Sequence, residues 1–235
     1  MGSKKLEEIK DAITELLADS SFLPIRDRNS DSGNEQEVWR ILRKPLRSPY
    51  DGCGQVELIE NDSRTNGITQ IYISGLDGNA IVLKPDLFGV KFFKRGTYNK
   101  ACDYLILTKY NSIYYALFID LKTDVVVGVN ENDNKVPYVC AGNIEKAWQM
   151  AGARFLLDSI LNLARKVGKI VKPANFQMIY LLVNNVSKNI SASHGIAVNT
   201  AIPVAPPITI VDPNAFFWLE RRNGDVIHIN TIIGC

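Results

Sequence analysis

Histidine is scarce in this chain, and the scarcity removes several chemistries. Only two histidines occur in 235 residues, and the four cysteines, Cys53, Cys102, Cys140 and Cys235, form no C-x-x-C pair. That excludes the usual structural zinc sites and a disulfide framework, and it predicts reduced thiols in a cytoplasmic protein. There is no G-x-S-x-G elbow. Ser193 and His194 are sequence neighbours, which do not form a nucleophile–base pair, and His228 has no matching serine motif. Neither G-x-G-x-x-G nor G-x-x-x-x-G-K-[ST] is present, so nucleotide-dependent motor activity is not encoded. No apolar run approaches the roughly 18–20 residues of a membrane span, and the N-terminus does not read as a secretory signal. The expectation is therefore no membrane partner. Repeats and low-complexity tracts are also missing. Net charge is only +2, so any nucleic-acid surface must be a local patch.

What is present is enough for one well-packed domain. Hydrophobic residues make up 46% of the chain and charged residues 22%, as in globular proteins, so residues 1–235 read as a single domain. Its most informative stretch runs from Lys100 to Lys122. Tyr104 to Leu107 and Tyr114 to Ile119 are short apolar runs bounded by polar residues, and both predict buried strands. Asn111-Ser112 between them signals a turn, giving a hairpin or at least adjacent strands. Asp103 opens the first strand; Asp120 and Lys122 close the second. Strand periodicity directs Asp120 and Lys122 to one side and Ile119 and Leu121 to the other. Charge at the end of an apolar strand is costly unless it is paired or bound to an ion. Asp103 and Asp120 are suited to share a hard cation such as Mg²⁺ (Mn²⁺ as a substitute), with the carbonyl of Leu121 and waters completing the shell. Lys122 would steady an attacking water or the charge growing on a phosphate. The alternative for the same residues is an Asp120–Lys122 salt bridge at a solvated strand end, with Asp103 unrelated.

Asp103 at one strand start and Asp120-Leu121-Lys122 on the next strand together resemble the PD-(D/E)xK nuclease superfamily, which has the restriction-endonuclease-like fold. Cys102 stands where a proline is the namesake residue, and Asp120 stands where glutamate is commoner. The resemblance implies an α/β fold: a central mixed β-sheet flanked by helices, with N-terminal helical and C-terminal β additions to the core. It implies Asp103, Asp120 and Lys122 as catalytic residues, with Mg²⁺ as cofactor. Relatives often carry a glutamine on the helix after D/E-x-K, and Gln149 matches by placement. Many also have an acid on the first core helix, for which Glu15, Glu35 and Glu37 are the candidates. Pro85-Asp86 offers a second, literal P-D, but it lies twice as far before Asp120 and leads into a loop-like stretch, so Asp103 is preferred.

The surrounding chain supplies the other elements. Apolar residues at Leu6, Ile9, Ile13, Leu16 and Leu17 predict an opening helix capped by Ser3. Ser20 to Asn34 reads as a loop, and a short helix is predicted from about Glu35 to Arg43. Gln55 to Ile59 predicts a strand, and residues 68–83 predict a hairpin about Asp77-Gly78. Lys91, Lys94, Arg95 and Lys100 alternate with aromatics just before Asp103, a pattern suited to phosphate contacts and base stacking or, equally, to a solvated loop anchored by Phe92 and Phe93. A long helix is predicted from Ile144 to about Val167. Asn143 would cap it, Gly168 would end it, and its apolar face would comprise Ala147, Trp148, Ala151, Phe155, Leu156, Ile160, Leu161 and Leu163. Phe176 to Val183 predicts a strand. The core thus covers about residues 60–185. In the extension, about 186–235, Ser191 to Gly195 is polar and small, and Phe216–Leu219 and Val226–Ile233 read as strands joined in a hairpin by Asn223-Gly224.

The expectation is a metal-dependent endonuclease that hydrolyses phosphodiester bonds, most naturally in double-stranded DNA. The resemblance implies a homodimer and a role in prokaryotic restriction or defence. Two alternatives stay open: a non-catalytic nucleic-acid-binding or assembly protein on the same fold, and an RNA-directed nuclease. The metal chemistry does not choose the sugar.

Overall fold

A computed structural model describes residues 4–17, 39–41, 54–62, 67–85, 101–122, 127–129, 135–137, 144–170, 174–185, 202–203 and 215–234. The fold is α/β. In chain order the elements are α1 (Lys4–Leu17), β1 (Trp39–Ile41), β2 (Gly54–Asp62), β3 (Gly67–Leu76), β4 (Ile81–Leu83), β5 (Tyr104–Tyr110) and β6 (Ile113–Lys122). There follow β7 (Val127–Val129), β8 (Lys135–Pro137), α2 (Ile144–Lys166), β9 (Phe176–Asn185), β10 (Ile202–Pro203), β11 (Phe216–Arg221), β12 (Val226–His228) and α3 (Ile229–Ile233).

The central sheet has the order β1-β4-β5-β6-β9-β11-β10. Strand β5 is antiparallel to β4 and β6, whereas β6, β9 and β11 are mutually parallel. Parallel neighbours need a crossover, and α2 supplies it between β6 and β9. A second, smaller mixed sheet has the order β12-β3-β2.

Period-two alternation divides the core in two. Leu105, Leu107, Ala116, Phe118, Tyr180 and Phe216 pack with Leu6, Ile9 and Ile13 of α1 and with Met150, Ala153 and Leu157 of α2. Ile106, Leu117, Ile119, Leu121, Leu181 and Val183 pack instead with Val56, Leu58, Ile71 and Ile73 of the second sheet and Ile229 and Ile232 of α3. Two long helices therefore cover one face of the central sheet. The expected flanking by helices is present on that face, and the second face is covered by the smaller sheet and one short helix. Strands β5, β6 and β9 are buried on both faces, so they read as continuous apolar runs.

Several sequence expectations need correction. The short helix over 35–43 gives way at Trp39–Ile41, which pairs antiparallel with Ile81–Leu83. Edge pairing of an aromatic and a β-branched residue outweighs a weak helical period there. The turn at Asp77-Gly78 forms, with Ala80 N–H donating to the Asp77 carbonyl at 2.9 Å and Asn79 N–H to its carboxylate at 2.8 Å. It does not make a hairpin, because β3 belongs to the second sheet and β4 to the central one. The turn at Asn223-Gly224 behaves alike: β11 joins the central sheet beside β9, β12 pairs parallel with β3, and the chain ends the expected strand early to form α3. The described part of the C-terminal extension is thus woven into both sheets.

Helix α2 is rotated from its expected face. Met150, Ala153, Leu157, Ile160 and Ala164 are buried, whereas Phe155 and Leu163 are exposed. Apolar residues lie nearly all round it, so spacing alone does not select the packed stripe. It ends as expected: Gly168 adopts φ +77°, and the N–H groups of Gly168 and Lys169 donate to the carbonyls of Arg165 and Ala164.

Candidate active site

The site is built from the hairpin β5–β6. Asn111 and Ser112 both take positive φ, 45° and 69°, as a two-residue hairpin turn demands. The turn pairs Tyr110 with Ile113, and the ladder runs without a bulge to Tyr104 and Ile119. One step further along the same register, Asp103 comes opposite Asp120. The register ends in a side-chain bond: Leu121 N–H donates to the Asp103 carboxylate at 2.6 Å. Asp103 thereby takes over the backbone bond that the ladder would make next. Both carboxyl groups are buried, Asp103 at 8% exposure and Asp120 at 0%. The expected meeting of these two acids on adjacent strands is present.

The backbone of Leu121 adds a third group. Within a strand the N–H and C=O of one residue face the same neighbour. The N–H of Leu121 faces Asp103, so its carbonyl faces that side also. An ionised carboxylate has about four lone-pair positions, so the bond from Leu121 is not the only one Asp103 can accept. Two carboxylates and a carbonyl form an all-oxygen donor set, which fits Mg²⁺ or Mn²⁺ rather than a soft metal. Among the described residues there is no group of three or more His, Cys, Asp or Glu side chains able to hold a metal.

Lys122 is the last residue of β6, paired in the ladder with Asn184. Gln149 lies half-buried near the start of α2, next to Met150, which is fully buried against the sheet. Because α2 crosses back between parallel strands, its start lies over the carboxyl ends of β6 and β9, the end that carries Asp120. Glu15 is in α1. Glu35, Glu37, Asp86, Lys91, Lys94, Arg95 and Lys100, together with the caps Ser3 and Asn143, lie outside the described residues.

Two polar residues at the same strand ends escape the sequence reading. Phe118, Tyr180 and Phe216 face the helices, so alternation puts Asp120, Asn184 and Glu220 on that face too. Glu220 pairs with Asn184 in the ladder. Asn184 is 4% exposed and Glu220 half-buried. Each of three parallel strands thus ends in a polar group on one face. Carboxyl ends of parallel strands are where open α/β sheets bind ligands. The signal was readable: in each strand the last apolar run stops at an acid or amide.

Beneath Asp120 the packing is tight. Phe118 and Tyr180 stack with centroids 5.1 Å apart, and Arg154 donates to the Tyr180 hydroxyl at 3.4 Å. This aromatic floor lies one alternation below Asp120 and holds β6 and β9 in register. In comparison with known proteins, no family model, curated protein or solved structure matches the chain.

Proposed function

We propose that this protein is a metal-dependent endonuclease of the PD-(D/E)xK type, hydrolysing phosphodiester bonds in DNA. The observation that carries the reading is the bond from Leu121 N–H to the Asp103 carboxylate. It joins the first acid to the middle residue of Asp120-Leu121-Lys122 across adjacent strands. The topology supports it: β4, β5, β6 and β9 lie side by side in that order with α2 between β6 and β9 in the chain, and in this reading β1–β3 and β7–β8 are additions to that core.

In this reading Asp103, Asp120 and the Leu121 carbonyl hold Mg²⁺. When bound, the ion supplies Lewis acidity, acidifying water and offsetting charge on the phosphate. The chain's own residues do the rest. The Leu121 N–H fixes the rotamer of Asp103 before any substrate arrives, so little reorganisation is left for the reaction. Burial of both acids keeps bulk water from competing for their oxygens. Lys122 orients the attacking water and balances charge as the new P–O bond forms and the ester P–O bond breaks; the leaving oxygen takes up a proton. Gln149 helps position that water from α2. Lys91, Lys94, Arg95 and Lys100 contact the DNA backbone, and a homodimer would present one site to each strand.

The test is cleavage of supercoiled plasmid and of single-stranded RNA, with Mg²⁺, Mn²⁺ or chelator, by wild type, Asp120→Ala and Lys122→Ala. Metal-dependent cutting by wild type alone is expected, on the plasmid. Cutting of RNA alone would move the substrate class. DNA binding without cutting in any metal would replace the nuclease with a binding protein on this scaffold. Cutting that survives both substitutions would overturn the site.

A further inference from the structure

Asp103 sits where the central sheet runs out of support. On one side the β4 ladder stops at Leu83, which pairs with Leu105, so Tyr104 and Asp103 project beyond it. On the other side the backbone ladder to β6 stops at Tyr104. Asp103 precedes the strand, so beside its own bond from Leu121 N–H the position of its carboxylate depends on what holds the backbone at Tyr104.

Tyr104 is held from the opposite face. Its ring enters the core between the two sheets and is 7% exposed. Its hydroxyl accepts from Ile59 N–H at 2.9 Å and donates to the Ile59 carbonyl at 2.8 Å. Strand β2 is at the edge of the second sheet, and the phenol satisfies both backbone groups of one edge residue, as a pairing strand would. Lys84 lies over the ring, its Nζ 4.8 Å from the centroid, and reaches Glu60 at 3.9 Å. The Cys102 thiol donates to the Tyr104 carbonyl at 3.1 Å. Side chain and backbone of Tyr104 are thus both fixed, one residue from the acid.

We propose that Tyr104 is a positioning residue, through which the second sheet sets the aim of the Asp103 carboxylate toward a divalent cation shared with Asp120. The inference rests on the metal reading of the two acids. Phenol burial pushes the Tyr104 hydroxyl above its ordinary range, with Lys84 opposing, so the hydroxyl remains a donor at neutral pH. Residues that orient a metal ligand typically change affinity about 10–100-fold when removed.

The experiment measures Mn²⁺ binding by the full chain, by calorimetry and by electron paramagnetic resonance of the free ion. It compares wild type, Asp103→Asn, Tyr104→Phe, Lys84→Met and Leu58→Ala. Tyr104→Phe keeps the ring and removes both bonds to Ile59; a loss of about tenfold or more in Mn²⁺ affinity is expected. Lys84→Met should lose about two- to fivefold, the equivalent of one cation–π contact. Leu58→Ala weakens the packing of the same cluster while leaving the Tyr104–Ile59 bonds in place, and should leave affinity unchanged. Wild-type affinity in folded Tyr104→Phe would overturn the proposal while leaving the metal site standing. An equal loss in Leu58→Ala would also overturn it, by showing general loosening. If Tyr104→Phe does not fold, Lys84→Met carries the test, and unchanged affinity there overturns it. A wild type that binds no Mn²⁺ would bring down the metal site and this inference together.

Discussion

The central strands end in different chemistry on their two faces. Toward the helices the buried or half-buried polar residues are Asp120, Asn184 and Glu220; toward the second sheet Leu121, Val183 and Leu219 stay apolar, and only beyond them do β9 and β11 end in Asn185 and Arg221. Leu121 and Val183 continue the apolar core without interruption. The Arg221 guanidinium donates to the Glu220 carbonyl at 2.8 Å. Burial lowers its pKa, with Asp225 opposing. Asp120, at 0% exposure beneath the ends of the parallel strands, is the point at which the proposed site departs furthest from an apolar core.

The comparison can be broken at Asp120. Asp120→Asn keeps the shape and removes the charge, and cleavage should fall by about 10²–10³-fold or more. Its thermal midpoint in chelator should match or exceed wild type, since a buried carboxylate is costly. Mn²⁺ should raise the midpoint of wild type and not of the variant, as measured by calorimetric melts. One alternation deeper the faces should become equivalent. Phe118→Ala on the helix side should cost about 3–5 kcal/mol and Ile119→Ala on the other about 2–5, read from urea unfolding.

Smaller effects sharpen the contrast. Gly75 has φ +77°, and a Cβ there would collide with the His228 ring. Gly75→Ala should therefore cost about 1–3 kcal/mol in the same unfolding assay. Tyr104 supplies a pH test. A raised folded pKa means its contribution is complete below the ordinary value of 10.0 and is lost as pH rises through the folded value. Wild type should lose stability above about pH 10, and Tyr104→Phe should lose less. Tyr72, whose pKa is raised chiefly by its hydrogen bond to Glu57, is present in both proteins and cancels. Exposed Leu163→Gln on α2 should stay within about 0.5 kcal/mol of wild type.

How far the sequence could be read depended on whether a feature was local. Asp103 and Asp120 were legible as partners because a tight turn and two unbroken apolar runs leave little freedom of register. Asp77-Gly78 and Asn223-Gly224 were legible as turns but not as crossings. Turn residues dictate that the chain reverses; which sheet receives the next strand depends on apolar surface contributed from far away. Strand β12 finds β3 across much of the sequence, and no local pattern encodes that. The packed face of α2 was hidden for a related reason, since only the sheet beneath selects among its apolar stripes. Tyr104 was read as one more core aromatic because its hydroxyl partner, Ile59, is distant in sequence.

The two-residue turn at Asn111-Ser112 carries a further consequence. It lies at the far end of the hairpin from the acids, exposed, in the kind of position where proteins commonly accept added residues. Here such an addition is unlike an ordinary loop insertion. Pairing is counted outward from the turn, so one extra residue held within the ladder would exchange the faces of one strand relative to the other. Asp120 would keep its place only if Asp103 lost its own. Across homologues or in an insertion library, the length of this turn should be as invariant as the acids, while its residue types vary among those that accept a left-handed backbone.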